Sequence, residues 1–546
     1  MINPFMKPYR MVISTLSPVH IGCGQNYEPT HYIIDEGVLY TFDPVAALSR
    51  DEKSRNELLE IVSKEQGDGI IQKIQKFFHT RKEMLLPLHT RRLPVGDGMQ
   101  AFYDKRVGKT TQADTKSVNN LNIERTSFLP EKNHPVMPGS SLKGAIRTAL
   151  LDEVHGGKSL SNREQAKDRR KSWKELSPLP DTLKGCLPKK FELDPMRLIR
   201  VGDACSFGPD RHNEVFFAVN RKSSGAEGKG PYQTLECLPP MGLESFTADI
   251  SFLNPEQARK YDDVQPPDKK GLPPKIRQWD HTTIVQKCNT YYMDHLQREL
   301  QEMHGFLDQE WAKTIRQSIH DGELHWLLKS GHAFLLRVGR HCGAESVTLN
   351  GARFIYRPQG RDWVTEPSTV WLAARGINME NKLLPFGWLL VELDDGQRRP
   401  LDETAPELAK LAQRFKNDRA SHLNASDKKL ASIQDEEAKK NKAEEDRQAL
   451  AAEKAAEEAA HQVRLAAMTP NQQKIAAFRQ AISKEPIPQP ISGTLWQNAG
   501  KLVKEAANWP AEDRTELARV CHEELPCKLK GVDKKKLQSL QDALSI

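Results

Sequence analysis

The chain has 546 residues, with 80 Lys and Arg against 73 Asp and Glu, a formal charge of +7 and 38% apolar residues. That length exceeds what one core fills, so two or three folding units are expected, and so modest a charge points to a polyanionic partner only where it is clustered. Eight scattered cysteines, with no CxxC pair and no Cys/His group at zinc spacing, exclude a disulfide framework and a zinc site.

The opening "MINPFMKPYRMVISTLSPVHIGCG" lacks the apolar core of a signal peptide, and no later stretch reaches the roughly twenty apolar residues of a membrane span. A cytoplasmic protein with no membrane partner, no metal and no cofactor is expected. Residues 9–16 (YRMVISTL) predict a strand, followed by a Gly-rich loop holding His20, Gly22 and Gly24. "HYIIDEGVLYTF" at 31–42 predicts two strands turning at Glu36-Gly37, Pro44 opens a helical segment, and the pattern stays helical to Phe78. Residues 89–127 carry Arg91, Arg92, Lys105, Arg106, Lys109, Lys116 and Arg125 against four acids, interleaved with Phe102 and Tyr103. That mixture suits an extended loop or hairpin laid on RNA, with rings on bases and cations on phosphates; it equally suits a solvated loop.

"MPGSSLKGAIRTALL" at 137–151 predicts a helix buried along Leu142, Ile146, Ala149, Leu150 and Val154. Its first turns hold Gly139, Ser140, Ser141 and Gly144, with Lys143 and Arg147 one turn apart. Small residues at a helix start leave unpaired N–H groups open to a phosphate, which the two cations would flank. The other reading is a helix capped by Ser140 or Ser141 with solvated cations. A second basic segment follows, with ten Lys or Arg against four acids between Gly156 and Lys190.

"LIRVGDACSF" (198–207) and "EVFFAVNR" (214–221) read as paired strands, 224–232 as a loop, 242–253 as a strand, 265–274 as a Pro-rich loop and 281–320 as a long helical region. In "HAFLLRVGRHCGAESVTL" (332–349) a strand breaks at Gly339 and Gly343 and is expected to resume at Ser346–Leu349. Arg337, Arg340 and His341 sit at the break, which marks either a close approach to phosphate or a structural bulge. "LPFGWLLVEL" (384–393) reads as a closing strand. Past Leu401 the composition shifts, and residues 427–464 carry eight Lys or Arg against ten acids with too few large apolar residues for a heptad seam. A solvated helical spacer is expected there. Ile475, Phe478, Ile482, Leu495, Trp496, Leu502, Val503, Trp509, Leu517 and Val520 then suggest the core of a small all-α module. The expected organisation is therefore 1–400, 401–468 and 469–546.

Three Gly-marked landmarks in this order, "LSPVHIGCG", "PGSSLKGAIRTALL" and "LRVGRHCGAESVTL", with the closing "PFGWLLVEL", resemble the RAMP superfamily of CRISPR proteins. Within it they are most similar to the fifth-subunit family of the type III-A (Csm) effector complex. The resemblance covers roughly residues 8–395. It implies an α+β fold of ferredoxin-like (RRM-type) modules with helical insertions, to which the spacer and the all-α module are added. It also implies a non-catalytic RNA-binding subunit that caps the backbone filament near the crRNA 3′ end and supports crRNA maturation. The partners implied are crRNA, the backbone RAMP subunit and other Csm subunits, trimming nucleases and target RNA. On this resemblance Gly139, Ser140, Ser141, Lys143, Gly144 and Arg147 form a phosphate cradle, and His20, Gly22, Gly24, Arg91, Arg92, Lys105, Arg106, Arg337, Gly339, Arg340 and His341 join the RNA surface. Some RAMP relatives cleave CRISPR repeats with a histidine acid or base, so a metal-independent endoribonuclease using His20 is the alternative.

Overall fold

The computed structural model describes residues 5–544 except 50, 65–68, 110–120, 132, 158–193, 208–211, 223–231, 255, 258–259, 261–278, 354, 358–361, 395 and 397. The basic segment up to Lys190, the loop at 224–231, the Pro-rich loop at 265–274 and the middle of 89–127, with Lys116, lie outside the described residues.

In chain order the elements are β1 (Met6–Thr15), β2 (Gly22–Tyr27), β3 (Tyr32–Asp35), β4 (Val38–Thr41), α1 (Pro44–Leu48), α2 (Glu52–Lys64), α3 (Gly69–Thr80), α4 (Lys82–Leu85), β5 (Arg91–Pro94) and α5 (Asp97–Arg106). They continue with β6 (Ile123–Thr126), β7 (Phe128–Leu129), β8 (His134–Met137), α6 (Gly139–His155), β9 (Ile199–Val201), β10 (Ala204–Ser206), β11 (Glu214–Lys222), β12 (Gln233–Cys237) and β13 (Gly242–Leu253). Then come α7 (His281–Glu302), α8 (Gln309–His320), α9 (Glu323–Ser330), β14 (Ala333–Arg337), β15 (Ile355–Arg357), β16 (Asp362–Val364), β17 (Thr369–Ala374), β18 (Leu384–Pro385) and β19 (Trp388–Asp394). The α+β class expected from the sequence holds.

β1 lies inside an eight-stranded sheet of order β14-β19-β1-β13-β10-β8-β7, with β9 also on β13. It is antiparallel to both neighbours, with Met6 opposite Leu253 and Arg10 opposite Asp394. Its second half, Met11 to Thr15, is buried without alternation, as a central strand covered on both faces must be. α6 and α7 pack on each other, and the Tyr292 hydroxyl donates to the Ala145 carbonyl at 3.0 Å. The outer edge of this sheet is occupied: Asn289 on α7 donates to the carbonyls of Leu328 and Ala333 and accepts from the Leu335 amide. These contacts occupy the outward Ala333 carbonyl and Leu335 amide of β14, one way in which an edge is covered.

A second sheet has the order β18-β17-β11-β12-β6-β2, and β3-β4-β5 form a third. Segments 198–207 and 214–221 therefore do not pair with each other. β9 and β10 join β13, whereas β11 lies between β12 and β17. β11 is buried from Glu214 to Val219, and a lone hairpin could not cover it. Two further expectations need correction. Much of 89–109 is β5 and α5 rather than an extended loop, because Met99 and Tyr103 give α5 a buried face. After Gly343 the chain forms a 3₁₀ turn, Glu345–Val347, instead of a strand, held by the Tyr291 hydroxyl on the carbonyls of Glu345 and Thr348.

The chain divides into two compact units, Met1–Gln434 and Asp435–Ile546. In the first, Leu401–Thr404 (α10) leads into the helix Pro406–Ala466 (α11). Leu408, Leu411 and Phe415 enter the main core, and Leu430 packs with Val38, Tyr40 and Leu86. Up to Gln434 this helix is thus a packed element rather than a solvated spacer. From Asp435 to Arg464 its residues are exposed. The second unit adds α12 (Pro470–Lys484), α13 (Thr494–Glu505), α14 (Ala511–Arg519) and α15 (Lys534–Asp542), and two short strands, β20 (Gln489–Pro490) and β21 (Leu529–Lys530), form a parallel pair. Of the ten apolar residues expected to form its core, seven are buried there, and Trp496, Leu502 and Trp509 are partly buried and pack against it.

Because the second unit has its own core, Leu517→Ala, at a fully buried position there, should destabilise that unit by about 2–5 kcal/mol. Urea unfolding followed by tryptophan fluorescence should show its transition moving to lower denaturant while that of residues 1–434 stays in place.

Candidate nucleic-acid interface

β12 buries a carboxylate. Glu236 is fully shielded from water, and its Oε1 accepts from Asn213 Nδ2 at 2.8 Å, the Tyr27 hydroxyl at 3.2 Å and Arg91 Nη2 at 2.9 Å. Its Oε2 accepts from the Thr126 amide at 3.2 Å, with Arg125 Nε at 3.8 Å. Arg125 also lies over Phe128 (3.7 Å to the centroid) and Tyr27 (4.7 Å). Burial, and then the Glu236 charge, push the Tyr27 phenol above its ordinary range, so it stays a donor. Arg91 is consequently a structural cation committed to Glu236, not a free phosphate ligand.

The first and third landmarks meet beside this carboxylate. His20 Nδ1 lies 2.7 Å from the Glu236 carbonyl, which can only accept, so Nδ1 carries the ring proton. The His20 carbonyl accepts from the Arg340 amide at 2.8 Å. A Cβ on Gly339 would stand 2.4 Å from that carbonyl oxygen, and the φ of Gly339 is +90°, so only glycine fits. Arg340 is exposed and pairs with Glu124 of β6. His341 stacks on Trp371 at 4.7 Å and sets Nε2 2.8 Å from Gln233 Oε1. Burial, then the neighbouring Arg340 and His20, hold its pKa down at about 4.

His20 itself is fully buried, and burial lowers its pKa, so the imidazole is neutral. Its Nε2 has no hydrogen-bond partner among the described residues and lies under Gly22, 3.4 Å from where a Cβ there would be. The ring therefore does not contact RNA as the sequence reading expected; the residues it supports, Gly22 to Asn26 of β2, are the exposed ones. Arg337 is buried too. It pairs with Glu299 at 2.6 Å, donates to the Phe386 carbonyl at 2.9 Å and sits over Trp388. Its expected RNA contact is corrected to a core ion pair, which explains the strand's arginine better than a phosphate does.

At the start of α6 the N-cap is Pro138, with no side-chain cap, so neither Ser140 nor Ser141 caps the helix. The Gly139 amide donates instead to Asp203 Oδ1 at 2.7 Å, and a Cβ on Gly139 would meet the carbonyl oxygens of Val201 and Gly202 at 2.5 and 2.6 Å. Gly139 is thus a packing glycine whose N–H already has an anion, and it does not cradle phosphate. Ser140, Lys143, Gly144 and Arg147 share the other face at i, i+3, i+4 and i+7, exposed or half-buried, while Leu142, Ala145, Ile146 and Ala149 face the core. Ser141 is half-buried, and its amide returns to the Pro138 carbonyl. Arg147 pairs with Asp194 at 3.1 Å. Lys143 forms no ion pair among the described residues, and partial burial lowers its pKa.

Arg92 is held by Ser426 and Asp427 of α11, and Arg106 lies over Phe102 at 4.2 Å while donating to the Tyr232 hydroxyl at 2.8 Å. Lys105 is exposed. Two clusters result, one around β2 and Arg340 and one on α6, and no hydrogen bond, ion pair or ring contact among the described residues joins them. The acids that organise them, Glu236, Glu124, Asp194 and Asp203, escaped the sequence reading. Glu236 had a signal, a lone acid in the β run Thr234-Leu235-Glu236-Cys237-Leu238. Among the described residues no group of three or more His, Cys, Asp or Glu could hold a metal, and no helix is long and apolar enough to cross a membrane.

The RAMP superfamily model matches residues 12–292. The CRISPR system Cms protein Csm5 of Methanocaldococcus jannaschii is 20% identical over 327 residues, 59% of this chain and 70% of the relative. Its namesake from Streptococcus thermophilus is 24% identical over 146 residues, 27% of this chain and 38% of the relative. A chain of a Csm-crRNA-target RNA ternary complex of a type III-A CRISPR-Cas system aligns at TM-score 0.43 and 17% identity, over 71% of this chain and 100% of that one. Csm5 of T. onnurineus aligns at TM-score 0.42 and 18% identity, over 70% and 99%.

Glu236→Ala leaves the half-buried Arg91 and the other donors without their carboxylate and should cost about 3 kcal/mol of unfolding free energy in urea; a loss under 1 kcal/mol would show that the carboxylate does not hold these strands. The folded His341 binds its proton at a pKa of about 4 against 6.5 in a free histidine. Its contribution is therefore complete above about pH 6.5 and is lost as pH falls toward 4. Over that window His341→Gln should lose less stability than the unmodified chain.

Proposed function

Since the chain belongs to the RAMP superfamily, we propose that it is a non-catalytic RNA-binding subunit of a type III-A CRISPR effector complex. It caps the backbone filament near the crRNA 3′ end and supports crRNA maturation and antiviral defence in the cytoplasm. Its partners are crRNA, the backbone RAMP subunit and other Csm subunits, with trimming nucleases and target RNA engaged through the assembly. The observation that carries this reading is the α6 face of Ser140, Lys143, Gly144 and Arg147, a cationic strip with small residues at the positive end of a long helix. The exposed glycine-bearing strand Gly22–Asn26, beside Arg340, offers a second place where a sugar-phosphate backbone can lie close to the main chain.

We read β19-β1-β13-β10, with α6 between β1 and β10 and α7 between β13 and β19, as a ferredoxin-like βαββαβ module; the strand order and the antiparallel pairing support this. The endoribonuclease reading is set aside, because a general acid or base must reach the proton it moves, and His20 is fully buried with its free nitrogen beneath Gly22.

Lys143→Ala with Arg147→Ala should lower guide-RNA retention at moderate salt. At roughly 0.7 per phosphate on a single strand, it should flatten the dependence of log affinity on log salt by about 1.4. Filter binding across a salt series checks this, and an unchanged slope with unchanged occupancy would remove α6 from the interface.

A further inference from the structure

The second unit, Asp435–Ile546, lies beyond residues 12–292 and carries charge of its own. Between Lys528 and Lys536 there are five lysines and one acid, Asp533. That acid is already engaged, since Asp533 is the N-cap of α15 and its Oδ1 accepts from the Lys535 amide at 3.0 Å. Lys530, Lys534, Lys535 and Lys536 are exposed, and Lys528 donates to the Glu485 carbonyl at 2.7 Å. Among the described residues none of the five forms an ion pair. Elsewhere in the same unit Lys474 pairs with Glu505, Arg479 with Glu516 and Glu524, and Arg519 with Glu516.

Placement adds to the imbalance. Lys534, Lys535 and Lys536 fill the first turn of α15, which holds no acid, so three cations stand at the positive end of the helix where acids are favoured. Neither packing nor pairing accounts for them: the buried residues of α15 and β21 are Leu540 and Leu529. An arrangement that sets three cations and a single capping acid, Asp533, at the positive end of a helix is relieved when a polyanion adds counter-charge. Lys530, four residues before this turn, lies in β21 opposite Pro490 of β20, so it too is carried by ordered backbone.

We propose that the strip Lys530, Lys534, Lys535 and Lys536 is a second, sequence-independent binding surface for the phosphate backbone of single-stranded RNA. The choice of RNA over another polyanion rests on the function proposed above; the geometry of the strip does not. Such a contact is read through its salt dependence.

The test uses the full chain and a fluorescently labelled single-stranded RNA, with anisotropy measured over a salt series. Lys530→Ala, Lys534→Ala, Lys535→Ala and Lys536→Ala together should flatten the slope of log affinity against log salt by up to about 3, at roughly 0.7 per phosphate. Circular dichroism should show the unit's melting temperature unchanged or raised, because cations are being removed from the positive end of a helix. If the quadruple variant keeps the slope while Lys143→Ala with Arg147→Ala lowers it, the strip proposal is overturned and the α6 reading survives. If the quadruple variant alone lowers it, the α6 reading fails and the strip stands. A polyglutamate peptide of equal charge that displaces the RNA on equal terms would overturn RNA as the occupant and make an acidic protein surface the partner.

Discussion

A carboxylate taken out of water costs several kcal/mol unless charges and donors surround it, and Glu236 makes β12 the place where much of the first unit is tied together. Its two oxygens draw Arg91 from β5, Tyr27 from β2, the Thr126 amide and Arg125 from β6, and Asn213 from the start of β11. Its carbonyl fixes His20, and the His20 carbonyl in turn fixes the Arg340 amide. The buried carboxylate therefore ties β2, β5, β6 and the residue before β11 to β12, while the same residue's backbone carbonyl holds the loop that carries His20. Removing a single partner would leave an uncompensated charge, which is why these contacts hold together or fail together.

The same logic sorts the protein's cations. Arg91, Arg125 and Arg337 are paired with buried acids and carry the architecture. Arg92 and Lys429 tie the middle of α11 to the small sheet, Arg92 through Asp427 and Lys429 through Asp35. Among the described residues, Lys143 with the half-buried Arg147 on α6, Arg340 beside the glycine-bearing strand, and the lysines of α15 are cations held at the surface rather than in the core. If these surface cations meet RNA as proposed, salt sensitivity is the natural signature of that contact.

The sequence carried the strands well where a central strand showed an apolar run, as in β19, or an alternation rich in β formers, as in β1 and β13, and the all-α core wherever apolar residues kept helical spacing. It carried the helical face of α6 as well, because Leu142, Ile146 and Ala149 mark the inside and leave Ser140, Lys143, Gly144 and Arg147 outside. It could not separate Arg337 from Arg340. Arg337 ends a strand and Arg340 follows it, both near Gly339, yet one meets Glu299 in the core and the other faces solvent, a difference set by α7, which lies well upstream. Gly139 and His20 misled for a related reason. Small residues and a histidine at a loop suit phosphate, but here Asp203 and the Glu236 carbonyl had already claimed their donors. Long-range acids leave no local pattern, and the packing of the first part of α11 was missed likewise, since Leu408, Leu411 and Phe415 precede the charged run that dominates its composition, whereas Asp435 to Arg464 is exposed helix as expected.

The central claim is that this chain holds guide RNA without cutting it. The most direct measurement incubates the purified full chain with a labelled crRNA precursor in EDTA and follows retention and integrity of the RNA in one sample. RNA retained at low salt, released as salt rises and recovered intact is the predicted result. Specific cleavage that His20→Ala abolishes, or no retention even at low salt, would contradict it.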